Sequence, residues 1–517
     1  MFTLTLPDEV PAQSMAFWSM ATEALFRSEG IISMTSEIVD GATEVVTAGG
    51  RRRSEGPVVF ELDGSCPTDL GVNWSPLSID WLDVSTPTSV ERVQLRQVNV
   101  RSDEGVRPAS VDGTPWDVPG LTVMVPGAEW KVLLVAESDA GDTVPLVVRR
   151  GDVMVITAPI FGLASLYCSF PSLTARYGGV ARGVMPTVTI DHIIKLVIDH
   201  HLAYGRTAIA RVGRWPVGYD GCLSVRLDFD RKVDDEAMRS LVEWIADNRV
   251  GCSFGVLDYL RPPEVLAQLV EAGAEIQMHA FGEDSETVAN QLAALRDASG
   301  YEVVGATVHG GPSGMGYRGD DHLEYFSAAG LSIGEVIGLN SHSPVPAIRP
   351  GESGATWTAD FLAPPRHLSL DLNTRPDGHR RDAVVKEARG RLDRGEHAIV
   401  MNHPDIHRNE LIDTFQTLAS PLVWNATVRA VASWIQASRF QAVATPDGNV
   451  RLGASVEAAR IDVLRPGASA EQVIVPGSLL DQADPPSRLN PQPSISPQPK
   501  GPPLNSPIVA TFSIAPQ

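Results

Sequence analysis

The stretch Gly221-Cys-Leu-Ser-Val-Arg-Leu-Asp-Phe-Asp230 decides the fold. Its first part, Gly221–Leu227, is a short Val- and Leu-containing run that predicts a buried strand. The strand runs straight into Asp228-Phe229-Asp230. Two carboxylates one residue apart at a strand end repel each other unless a cation offsets their charge. A solvated turn with an N-cap for the next helix is the plainer alternative, but Asp234 supplies a better cap.

Downstream, strand and helix patterns alternate. Helices are predicted at Asp235–Asn248, Pro263–Ala272, Ser285–Ala298, Asp321–Ala329, Arg381–Asp393 and Val423–Ser438. Strands are predicted between them at Val250–Val256, Glu275–Met278, Val303–Val308, Leu331–Val336, Leu368–Leu372 and Ala398–Met401. This order is the signature of a parallel sheet covered by helices. About seven βα units suggest a barrel, whose chemistry would sit at the C-terminal ends of its strands.

Three further strand ends carry candidate groups. Glu275–Met278 leads into His279, with Glu283 four residues on, and both side chains are plausible ligands of Zn²⁺ or a similar ion. Val303–Val308 leads into His309-Gly-Gly-Pro-Ser-Gly314, where glycines let the backbone approach a ligand closely. Ala398–Met401 leads into Asn402-His403-Pro404, and a histidine there is suited to carry a proton near neutral pH. A single such residue would more often be structural. Four strand ends of one sheet bearing Asp-x-Asp, His, His and His point to a site.

Residues 215 to 445 resemble the polysaccharide deacetylase (NodB-homology) family in the order of these motifs. The resemblance implies a distorted (β/α)7 barrel of the NodB-homology type. It implies Asp228 as catalytic base and Asp230 as metal ligand, with His279 as a second ligand. Glu271 to His279 is similar to the family stretch that ends in the metal-binding histidine. The family has a second histidine four residues later where this chain has Glu283, so the third ligand is Glu283 or His309. The segment His309 to Gly314 resembles the family's groove-wall motif without its arginine. Arg394 to Pro404 resembles the last motif, whose histidine, here His403, protonates the leaving amine. The lead-in Trp215-Pro-Val-Gly218 with Asp-x-Asp is most similar to a divergent subgroup. The implied reaction is metal-dependent removal of an N-acyl group from a sugar or glycan, with Zn as the expected ion and Co or Ni as substitutes. A glycan-binding barrel without turnover, and a C–N hydrolase acting on a non-carbohydrate amide, are the alternatives.

The remaining chain divides into two parts. Residues 1–205 hold short strand patterns at Gly56–Leu62, Leu121–Val125, Lys131–Ala136, Val144–Val148 and Asp152–Ala158, with helices expected at Ser14–Ser28 and Val188–Tyr204. This predicts a strand-rich α/β accessory domain of unknown role. Its Trp74, Trp81, Trp116 and Trp130 suit a packed core better than a sugar-stacking surface. The barrel is expected over 206–445. Residues 446–517 end in strings such as Asn490-Pro-Gln-Pro-Ser, which predict an extended, largely disordered Pro-rich tail.

The acidic balance of the chain fits a neutral or cationic glycan better than an acidic one. The 517 residues carry 42 Lys and Arg against 63 Asp and Glu, a formal net charge of −21. Phosphate recognition needs a basic footprint, so nucleic acid is an unfavourable partner. An anionic membrane surface is unfavourable for the same reason. The four cysteines have no CxxC spacing, which argues against a zinc-thiolate site or a disulfide framework. The first residues lack a basic segment and a long apolar run, so a cytoplasmic location without a membrane span is expected.

Overall fold

The computed structural model describes residues 1–5, 22–35, 37–47, 50–62, 70–71, 73–78, 81–87, 90–94, 122–138, 140–161, 187–230, 233–257, 263–280, 284–309, 321–335, 344–350, 357–365, 367–370, 379–404, 408–440, 442–444, 450–451 and 458–476. Every residue of the strand Gly221–Phe229 is buried, and its side chains alternate in chemistry. Leu223, Val225, Leu227 and Phe229 face an apolar core shared with the surrounding helices. Ser224, Arg226 and Asp228 occupy the other face and are equally buried. Successive side chains of a strand point to opposite faces, so one face packs on helices while the other lines a polar interior.

The strand is central to its sheet. It pairs in parallel with Cys252–Val256 on one side and His397–Asn402 on the other. Beyond Cys252–Val256 come Glu275–Ala280, Gly305–Val308, Ile333–Glu335 and Trp357–Ala363, all parallel, and then Val345–Pro350, which is antiparallel. Beyond His397–Asn402 lies Leu368–Ser369, and Val423–Asn425 pairs with the start of Gly221–Phe229. Glu335 is four strands from Arg226, which in a flat sheet would separate them by about 19 Å at roughly 4.8 Å per strand. Yet Arg226 Nη1 lies 2.7 Å from Glu335 Oε2. The sheet therefore curls until distant strands meet across its interior.

This is an α/β fold with a curled parallel half-barrel. Among the described residues its two edges, Val345–Pro350 and Leu368–Ser369, do not pair. An antiparallel hairpin, Val345–Pro350 with Trp357–Ala363, lies in a stretch for which no element was expected. The predicted helices at Asp235–Asn248, Pro263–Glu271, Ser285–Ser299 and His379–Asp393 cover the outer face. Asp234 caps the first by accepting from the Glu236 N–H, and Asp284 caps the third by accepting from Thr287. Two elements differ from expectation. Arg408–Leu418 is an additional helix, and the segment expected to be one helix from Val423 begins as the strand Val423–Asn425. Thr427 then caps the helix Val428–Ile435, so the cap sets the boundary that periodicity misplaced.

Residues 1–161 build a separate nine-stranded sheet, parallel from Met34–Thr35 through Phe2–Thr5, Thr43–Val46 and Val58–Glu61 to Val153–Ile156, and antiparallel from there to Val90–Gln94. The helix Thr187–Tyr204 packs Ile190, Ile193, Ile194 and Val197 onto its core. The hairpin of Thr143–Arg150 with Val153–Ile156 turns at Gly151 and Asp152, where Gly151 adopts φ 59°. Trp130 is buried and meets Trp74 edge-on at 5.2 Å, so this pair is core. Trp116 and the Trp81 side chain lie outside the described residues.

One part of the expected tail is folded. Ala458–Leu464 and Glu471–Pro476 form a three-stranded antiparallel sheet with Ile209–Val212. Ala459, Ile461 and Val463 alternate inward, a period-2 pattern that the Pro-rich composition of the chain end obscured. Residues 477–517 lie outside the described residues. No helix among the described residues is long and apolar enough to cross a membrane.

Candidate metal centre and catalytic site

The polar face of the curled sheet is stacked in layers. Deepest are Ser253, Glu275 and Gln277. Glu275 accepts from Ser253 Oγ at 2.6 Å, from Gln277 Nε2 at 2.9 Å and from the Arg429 N–H at 2.9 Å. Such a buried carboxylate needs every partner it can find. The middle layer is Arg226, Glu335 and His367. The top layer, at the C-terminal strand ends, holds the groups expected to do chemistry.

Asp230 lies just beyond Gly221–Phe229, with its side chain 29% exposed, and gathers three histidines. His279 Nε2 is 3.0 Å from Oδ1, His309 Nε2 is 3.5 Å from Oδ2, and His403 Nε2 is 2.9 Å from Oδ2. His279 comes from Glu275–Ala280, His309 directly follows Gly305–Val308, and His403 directly follows His397–Asn402. The register of the parallel strands sets His279 beside Thr307. His279 Nδ1 bonds Thr307 Oγ1 at 2.7 Å, which turns Nε2 toward Asp230. The His279 and His309 rings meet edge-on at 5.2 Å.

Asp230, His279 and His309 offer ligand atoms that all lie within 4.8 Å of one another. One carboxylate oxygen and two imidazole nitrogens form a donor set suited to Zn²⁺ with open positions. Asp230 Oδ1 is buried and makes no hydrogen bond, although it lies in the middle of this cluster. That orphaned oxygen fits a cation, so the residues present are compatible with the metal the sequence implies. Glu283, the other ligand expected, lies outside the described residues.

The electrostatics follow from these neighbours. Burial raises the Asp230 carboxyl, but the imidazoles of His279, His309 and His403 gathered around it hold it far below the ordinary carboxylate value. The bond to Asp230 raises His309 above the ordinary histidine value of 6.5, against the opposing effect of burial. Burial likewise raises Asp228, and Arg226 together with His279 brings it below the usual range. Asp228 is therefore an ionised, fully buried carboxylate. Its Oδ2 lies 4.0 Å from His279 Nε2, beside the cluster rather than in it.

Asp228 is held by a fork. Arg226 Nε donates to Oδ1 at 2.8 Å and Nη2 donates to Oδ2 at 2.5 Å. The two residues are i and i+2 on one strand and share its inner face. The room for this carboxylate is left by Gly255, which is in register with Asp228. A Cβ at Gly255 would stand 2.6 Å from Asp228 Oδ1, 3.0 Å from Thr307 Oγ1 and 3.4 Å from His279 Nδ1. Gly255→Ala is expected to destabilise the chain by about 1–3 kcal/mol through overpacking, read as a lower thermal midpoint. An unchanged midpoint would mean that Asp228 and Thr307 have room to retreat.

Sequence reasoning missed Arg226, Gly255, Thr307, Glu335 and His367. A signal for Arg226 exists: it alternates with apolar residues in phase with Ser224 and Asp228. Glu335 and His367 carry no local signal, because only the curl of the sheet brings them to Arg226.

No protein-family model matches the chain, and no curated protein is significantly similar to it. Three solved structures illustrate what it is similar to. A provisionally assigned polysaccharide deacetylase from Mycobacterium smegmatis is 18% identical, covering 44% of this chain and 93% of that one, with a TM-score of 0.36. A family 4 acetyl xylan esterase from Clostridium thermocellum, solved with a cobalt ion, is 11% identical over 41% of this chain and 90% of that one, with a TM-score of 0.26. A pseudoenzyme of the CE4 family from Bacillus anthracis is 11% identical over 41% of this chain and 65% of that one, with a TM-score of 0.24.

Proposed function

We propose that this protein is a metal-dependent hydrolase that removes an N-acyl group from a sugar or glycan. The observation that carries the proposal is the un-hydrogen-bonded Asp230 Oδ1 set among His279 and His309, beside the buried Asp228–Arg226 pair. The sugar amide as substrate rests on the ordered motifs that resemble the polysaccharide deacetylases. On this reading the half-barrel is of the NodB-homology type, spans 206–445, and follows an accessory unit at 1–205.

Asp230, His279 and His309 would hold the ion, with Zn²⁺ as first choice and Co²⁺ or Ni²⁺ fitting the same donors. Bound there, a divalent ion supplies Lewis acidity toward an acyl carbonyl and makes water more acidic. The protein's own residues then divide the proton work. Asp228, ionised and fixed by Arg226, takes the proton of the attacking water. His403, with its side chain 17% exposed and Nε2 on Asp230 Oδ2, stands at the mouth to protonate the departing amine. Each of these roles is worth about 10²–10⁴-fold in rate.

The test is a zinc titration coupled to release of free amine from N-acetylglucosamine oligomers. One zinc per chain is expected, with turnover lost on chelation and restored by zinc or cobalt. Zinc binding without turnover would favour a glycan-binding barrel, and no zinc binding would remove the metal reading altogether.

The pH dependence has a definite sign. In the metal-free chain the raised His309 contributes stability below pH 6.5 that is lost as pH rises through its folded value. Zinc requires the neutral imidazole, so zinc affinity should fall as pH drops, starting above pH 6.5. Affinity that stays flat between pH 8 and about pH 6 would exclude His309 as a ligand.

A further inference from the structure

Arg226, Glu335 and His367 come from three separate segments and meet only inside the curl. Glu335 ends the strand Ile333–Glu335, and His367 precedes Leu368–Ser369. Glu335 Oε1 accepts from the His367 backbone N–H at 3.0 Å and from its Nδ1 at 2.6 Å. Oε2 accepts from Arg226 Nη1 at 2.7 Å. His367 Nδ1 also lies 3.0 Å from Arg226 Nη1. With Nδ1 donating to Glu335 it cannot also accept from the guanidinium, so the Arg226 N–H is aimed at Glu335.

The arrangement has one mechanical consequence. A guanidinium is planar, and a carboxylate on one edge leaves it free to swing about that contact. Here Asp228 takes one edge and Glu335 the other, and Glu335 is itself tied to a backbone N–H that no rotamer change can move. All four side chains are buried, so Glu335 and His367 have no path to a substrate. Neither belongs to the Asp230–His279–His309 cluster. A buried carboxylate that touches neither ligand site nor solvent is costly unless it fixes the charge it faces.

We propose that Glu335, clamped by His367, is a positioning residue that holds Asp228 in its working orientation through Arg226. The proposal rests on the reading of Asp228 as the base.

The test uses the full zinc-loaded chain. Glu335→Gln is expected to lower kcat about 10–100-fold, as loss of an orienting partner typically does, with KM and zinc affinity close to wild type. Arg226→Lys also loses rate, and the double variant should fall no further, because without the fork Glu335 has nothing to hold. Losses that multiply would overturn the proposal, as would wild-type kcat in Glu335→Gln. Should Glu335→Gln fail to fold, the His367 variants decide. His367→Asn keeps a donor near the Nδ1 position and should retain turnover, whereas His367→Leu should lose it, and equal rates would sink the idea. A readout independent of turnover is exchange of the Arg226 Nε–H by NMR, expected to be slow in wild type and faster in either Glu335→Gln or His367→Leu. Equal exchange overturns the positioning role. A zinc-bound wild type that releases no amine overturns the hydrolase reading instead, while the exchange rates still decide whether Glu335 holds Arg226.

Discussion

Asp230→Ala is expected to abolish stoichiometric zinc binding and to reduce amine release to background. Asp230 contacts all three of His279, His309 and His403, and it contributes the only carboxylate of the Asp-His-His cluster. Removing it leaves imidazoles without the anion that draws a cation among them. The fold should survive, because Asp230 lies beyond the end of the strand with its side chain 29% exposed. Two measurements separate these effects. Wild-type thermal stability should rise with added zinc, by about 2.7 kcal/mol at a hundredfold excess over Kd, and the variant's should not. A variant that still binds one zinc with wild-type affinity would show that the ion sits elsewhere.

Asp228→Asn is the second large effect. The substitution preserves shape and removes the charge, so the proposed base can no longer take a proton. A loss of about 10²–10⁴-fold in kcat is expected, with zinc affinity nearly unchanged, since Asp228 lies beside the ligand cluster. Stability should fall as well. Asn presents an N–H where Arg226 Nη2 now donates, leaving a buried guanidinium short of one partner, and breaking such a pair costs about 3–5 kcal/mol. Thermal unfolding and kcat per folded molecule must therefore be measured together. A lower midpoint with an unchanged kcat would make Asp228 an anchor for Arg226 and not a base.

Asp230 sits at the surface of the polar interior, where its value is chemical. Asp228 sits inside, where chemistry and stability depend on the same ion pair. Glu335 extends that dependence inward, and burial alone would raise its carboxyl. Arg226 and His367 bring it down to about 2. Arg226 and the two buried carboxylates it bridges, Asp228 and Glu335, are thus stable only as a group.

Much of the architecture was legible along the chain. The alternation of strands and helices from Gly221 to Asn402 predicted a parallel sheet, and the helix Asp235–Asn248 has the predicted bounds. Local chemistry explains this success, because periodicity and caps such as Asp234 act within a few residues. Three local readings failed for equally local reasons. Thr427 starts a helix later than the apolar pattern suggested, Ala458–Leu464 hides a strand near a Pro-rich end, and the hairpin at Val345–Pro350 was not foreseen.

The candidate site divides along the same line. Sequence alone determined which strands end in Asp, His, His and His, because a residue's place at a strand end depends on its own segment. It left the third ligand as Glu283 or His309; the structure sets His309 within 4.8 Å of the Asp230 and His279 ligand atoms, and Glu283 lies outside the described residues. Sequence alone could not find Glu335 and His367, which are 109 and 141 residues from Arg226 along the chain. Only the curl of the sheet, which brings a strand four places away within 2.7 Å, decides that contact. Strand order and register are long-range pairings made by backbone hydrogen bonds, and no window of sequence contains them.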